Sequence, residues 1–151
     1  PDAVAAATQG ADALAAREVV LARLNRASHY LQGGAGGVDW MPPGLLYQLP
    51  KNPGPAGGVR AFGRLAFVDN YRVVAQRVRQ EIETFLTDAP LDKAADATGL
   101  GLRTNRPRAY VVAGLAGGTG SGMFLDLAYV LKHELRSVGY SKPEAVGLLF
   151  A

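Results

Sequence analysis

A chain of 151 residues, 48% of them apolar and 19% charged, is long enough for one domain with a real core and too poor in charge to be disordered. It has no cysteine, which excludes disulfides and thiolate metal sites and suits a cytoplasmic setting, and its net charge of +3 favours anionic ligands without the Lys/Arg run that would argue for nucleic acid. No apolar stretch reaches the ~18 residues of a membrane span, and nothing at the start reads as a signal peptide. With Pro1 in place of Met, a fragment or a processed chain is expected, forming a single partial domain over 1–151.

In chain order, residues 10–28 predict a helix. Its alanines with Leu14, Val20, Leu21 and Leu24 give an apolar side, Arg17, Arg23 and Arg26 a solvated one, and Asp12 a cap. Half of the 26 positions from 33 to 58 are Gly or Pro, so no regular element is expected there. That segment is either a functional loop or a surface linker, pinned by Trp40, Met41, Leu45, Leu46, Tyr47 and Leu49. Residues 64–86 predict the clearest helix. Phe67, Tyr71, Val74, Val78, Ile82 and Phe85 share one face, and Asp88-Ala89-Pro90 closes it. Residues 91–107 are poorly patterned, with a turn at Gly99-Leu100-Gly101. The last third reads β-α-β. Strands are expected at 110–115 and 145–150, parallel, with a helix at 122–138 between them that Gly139 ends. The pattern predicts an α/β fold with a parallel sheet and flanking helices.

Between the first strand and that helix lies Gly117-Gly118-Thr119-Gly120-Ser121-Gly122. Glycine reaches positive φ and has no Cβ to block a ligand, and the helix N-terminus adds unpaired N–H donors and partial positive charge. Thr119 and Ser121 add uncharged hydroxyl donors. A bland turn explains one or two glycines, not four in six positions, so the spacing predicts a phosphate site. The Walker pattern fails because no lysine precedes Lys132 in this region. The dinucleotide pattern fails because Met123 or Leu125 stands where it needs glycine.

Ala116 through Gly122 resembles, at every position, the signature of the tubulin/FtsZ GTPases: a small residue, then Gly-Gly-Thr-Gly-Ser/Ala-Gly. Ala56-Gly57-Gly58-Val59-Arg60-Ala61-Phe62-Gly63 is similar to the family's other Gly-rich loop, which lies near the γ-phosphate and opens a helix. It departs at Pro55, where glycine is frequent, and at Val59, where a polar residue is usual. The runs Gly63-Arg64-Leu65-Ala66 and Gly122 through Leu127 look nearest to the divergent bacterial tubulin-like proteins. The resemblance covers roughly 54–151. It implies a Rossmann-like nucleotide-binding domain holding GTP or GDP, with Mg2+ as a candidate companion. Gly117, Gly118, Thr119, Gly120, Ser121 and Gly122 would hold the phosphates with Ala56, Gly57, Gly58 and Arg60. It further implies a GTPase that self-associates into filaments, each site completed by an acidic loop from the next subunit. The family's first strand and first Gly-rich loop are not found. The guanine-reading helix and the acidic loop are expected beyond Ala151, so no catalytic residue is assigned.

Arg64 is a second candidate phosphate ligand, and Asp69 and Asp126 are candidate magnesium partners through water. No set of protein metal ligands is read. Two other functions fit the same residues: an interaction module that responds to nucleotide without polymerising, and an α/β enzyme whose glycine loop takes another phosphorylated ligand.

Overall fold

Val111-Val112 and Val146 sit in short apolar runs bounded by Pro107, Pro143 and glycine, a composition that favours strands buried beneath a helix. The computed structural model describes residues 14, 18–32, 38–49, 56–101 and 106–151. In chain order its elements are α1 (Ala27–Leu31), α2 (Pro43–Leu46), α3 (Arg60–Asp69), α4 (Tyr71–Phe85), α5 (Asp88–Thr98), β1 (Arg108–Gly114), α6 (Gly118–Ser137) and β2 (Glu144–Phe150). The fold is α/β. β1 and β2 pair in parallel, from Arg108 opposite Glu144 to Gly114 opposite Phe150. The Arg108 guanidinium donates to the Glu144 carboxylate at 2.8 Å and pins that register at its open end. Val111 and Ala113 are buried, while Tyr110 and Val112 point to the opposite, open face.

Helix α6 packs against both strands and against α3. It ends in a Schellman turn, as Gly139 suggested: Gly139 has φ 102°, its N–H reaches Arg136 O, and the Tyr140 N–H reaches Leu135 O. One buried cluster sits where α1, α2 and α3 meet, and Val111 and Ala113 of β1 and Val130 and Leu135 of α6 are buried apart from it. Tyr30, Met41, Leu46, Leu49 and Phe62 close around Leu65, which is fully buried. Three of the six anchors expected in the Gly/Pro-rich segment are therefore buried, and Leu45 packs against them. Trp40 and Tyr47 are exposed. The short helix α2, with Pro43 in its first turn, was not expected at this density of proline; the first turn is the one place where a missing N–H costs nothing.

Three expected helices are redrawn. Residues 19–26 carry no regular element, and 10–13 and 15–17 lie outside the described residues. The reason is a polar clamp on the end of α3. The Tyr30 hydroxyl donates to the Asp69 carboxylate, Asn25 Nδ2 donates to Asp69 at 3.1 Å, and the Asn25 N–H donates to Tyr30 Oη at 2.9 Å. Asn70 Nδ2 donates to Arg23 O at 2.8 Å. These bonds hold 23–25 against α3, away from a helical path. Burial and the Asp69 contact both push the Tyr30 hydroxyl well above its ordinary pKa, so it stays a donor. Tyr30→Phe is expected to cost about 1–3 kcal/mol in urea unfolding, because it leaves Asp69 and the Asn25 N–H short of a partner.

The single helix expected at 64–86 is two, broken at Asn70. Its side chain donates to Ala66 O at 2.8 Å, a local bond that competes with helix propagation. Asp88-Ala89-Pro90 opens α5 and does not merely close α4; proline is tolerated in a first turn, and Gly99, at φ 63°, ends the helix. The apolar face of α4 has no fully buried residue. Val74, Val78 and Ile82 look across a cavity of about 540 Å³ at Met123, Leu127 and Leu131 of α6. None of the glycine-loop residues lines that cavity.

Candidate functional site

The site is built at the carboxyl end of β1, where α/β folds place their ligands. Leu115, Ala116 and Gly117 make the bend, with the Leu115 N–H held by Phe150 O at 2.7 Å. Helix α6 then begins at Gly118, four residues before the expected start, so five of the six loop residues form its first turns. None of them has positive φ. Their glycines serve close approach of backbones. A Cβ on Gly118 would lie 2.7 Å from Val59 N and 2.9 Å from the Ala56 Cβ, and one on Gly120 would lie 2.8 Å from Gly114 O. A Cβ on Gly122 would strike Arg60 O, and one on Gly63 would strike Gly118 O. Only Gly117 has open space around its Cβ direction among Gly117, Gly118, Gly120 and Gly122. Bulk at Gly118 or Gly120 would thus do more than invade the space beside a phosphate. It would first strike protein backbone.

Positive φ is found instead in the second loop, at 57° for Gly57 and 80° for Gly58. The Val59 N–H donates to Ala56 O at 3.0 Å and closes a tight turn that needs glycine at both central positions. Ala56 is buried, and its methyl packs in the core while its carbonyl closes the turn. Gly57 and Gly58 are exposed. Because Gly118 touches Val59 and Ala56, the two glycine-bearing turns adjoin.

Two helix N-termini therefore converge. Val59 is the N-cap of α3 and Gly117 that of α6; neither gives a side-chain cap, and neither helix has an acid in its first turn. Uncapped N-terminal donors with an aligned helix dipole favour an anion. Arg60, the first residue of α3, is exposed and has no ion-pair partner among the described residues. Thr119 is exposed, whereas Ser121 is buried and its hydroxyl donates to Gly117 O, which turns it from a ligand donor into a brace for the bend.

The candidate magnesium partners are engaged elsewhere. Asp69 belongs to the Tyr30 clamp at the far end of α3, and Asp126 lies 3.6 Å from Arg64. No group of three or more metal-ligating side chains occurs among the described residues. Gly63, which the resemblance carries only as the end of the second loop and the start of the Gly63-Arg64-Leu65-Ala66 run, lies inside α3 and admits the Gly118 backbone.

A family model described as tubulin-like matches residues 16–151. The chain belongs to the tubulin-like family. No curated protein and no solved structure matches it. The tubulin-like assignment spans all of α1 to β2, so both glycine turns fall inside it. No described helix is long and apolar enough to cross a membrane.

Proposed function

We propose that the junction of the two glycine turns binds the phosphates of GTP or GDP, with Mg2+ arriving on the nucleotide. The observation that carries this reading is the convergence of two uncapped helix N-termini beside Arg60, a cation with no ion-pair partner among the described residues. Family membership supports guanine nucleotide over other phosphorylated ligands, and the Gly63–Ala66 and Gly122–Leu127 runs support kinship with the divergent bacterial members. The protein acts in the cytoplasm as a GTPase that self-associates, each active site completed by an acidic group of a second subunit. Phosphoryl transfer depends on positioning and charge stabilisation, so half a site grips phosphate yet leaves the attacking water unplaced. Alone, this domain is expected to hydrolyse GTP very slowly, and in a protein that carries both this domain and the acidic loop GTPase activity is expected to rise faster than linearly with protein concentration. Turnover strictly proportional to concentration would mean a self-contained site and would refute the two-subunit mechanism.

The two hydroxyls are expected to separate. Thr119→Ala removes one donor to the ligand and weakens GTP binding by roughly 0.5–3 kcal/mol, measured by calorimetry, with the melting temperature unchanged. Ser121→Ala removes the brace on Gly117 O and lowers the melting temperature. The reverse pattern would exchange their roles.

A further inference from the structure

The seam between α3 and α6 is made of glycine backbone: Gly63 against Gly118, and Gly122 against Arg60 and Arg64. At these glycines backbone meets backbone, and one ion pair bridges the two helices. Arg64 Nε lies 3.6 Å from Asp126 Oδ2, and among the described residues this is the one ion pair that joins two helices. The other face of the same guanidinium environment is Trp40, with the Arg64 Cζ 5.3 Å from the ring centroid, in cation–π range. Trp40 precedes Met41, which is buried in the core beside Leu46 and Leu49. Three segments thus meet at one side chain: the helix that follows the Gly57-Gly58 turn, the helix that starts at Gly118, and the 38–49 segment.

We infer that Arg64 is a positioning residue that sets the offset of the two phosphate-facing turns, and that Trp40 reads that offset. The inference rests on the reading that the junction binds nucleotide phosphate. An anion bridging both helix N-termini pulls on both sides of the glycine seam. The Arg64–Asp126 pair moves with the seam, and the planar guanidinium carries the displacement to the indole. Lysine would keep the charge for Asp126 but not the flat stacking surface. Trp40 is 41% exposed, so its emission responds to a small change of cover.

The test pairs calorimetry with tryptophan emission during GTP titration. The difference between wild type and Trp40→Phe isolates Trp40. In wild type this difference spectrum is expected to shift as GTP binds. Arg64→Gln is expected to bind GTP up to about fivefold more weakly, the scale of an exposed ion pair, and to lose the shift. Arg64→Lys should bind within about twofold of wild type with a diminished shift. Asp126→Asn breaks the same pair from the other helix while keeping the stack, and should weaken binding as Arg64→Gln does. Binding heat in wild type without any emission shift overturns the inference and leaves the nucleotide site standing, as does an Arg64→Gln shift equal to wild type. No binding heat in wild type overturns both.

Discussion

Gly63→Val is expected to cost at least about 3 kcal/mol of stability, the upper end of what overpacking exacts and beyond. The Cβ itself would strike Gly118 O, before the two methyls of valine are placed. The obstacle is backbone at the start of a 20-residue helix that packs on both strands, so it cannot swing aside as a side-chain tip could. Gly122→Val meets Arg60 O from the opposite side of the same seam and should behave alike. At this chain length each kcal/mol lowers the melting temperature by roughly 2–4 °C, so a fall of about 6–12 °C or more is expected in a thermal scan. Gly44→Ala is the control, since nothing lies within 4 Å of its Cβ direction. A Gly63→Val protein that melts with wild type would mean that α3 and α6 do not meet at this seam.

Gly117→Asp is expected to do the opposite: keep the fold and abolish the ligand. Gly117 is the N-cap of α6, with φ −88° and ψ 160°, a conformation open to any residue, and a Cβ there meets nothing within 4 Å. Aspartate is among the strongest N-cap residues, so the variant should be as stable as wild type or a few tenths of a kcal/mol more. Its carboxylate would occupy the first-turn donors and set a negative charge where phosphate must sit. Like charges about 4 Å apart near a protein surface repel by about 4 kcal/mol, so GTP affinity is expected to fall by at least about 100-fold in calorimetry. Gly117→Ala, which adds bulk without charge or acceptor, should lose far less. Unaltered affinity in Gly117→Asp would remove the N-terminus of α6 from the site.

Much of this was legible in the residues. The β-α-β end was readable because Val111, Val112 and Val146 and the apolar face of α6 carry distinct periodicities with glycine and proline between them. The glycine loop was readable as a motif, yet its geometry was not. Spacing alone does not distinguish a glycine that supplies positive φ, such as Gly57, from one that admits another backbone, such as Gly118. That distinction depends on which element lies opposite, and α3 comes from more than fifty residues earlier in the chain. The break at Asn70 and the irregular path of 19–26 were hidden for a related reason. Both are set by side-chain bonds between segments about 45 residues apart, Asn70 to Arg23 and Asn25 to Asp69, which override local helix preference. Pro90 is ambiguous in the sequence because proline marks a helix start as readily as a helix end.

The central claim is that phosphate sits between the two converging helix N-termini. Amide NMR during titration with GTP tests it most directly, because each backbone N–H at the junction reports separately. The largest shift changes are expected at Gly117, Gly118 and Thr119 together with Gly57, Gly58 and Arg60, saturating in step, with inorganic triphosphate moving the same amides. Changes centred on the cavity between α4 and α6, with the junction amides still, would contradict the account.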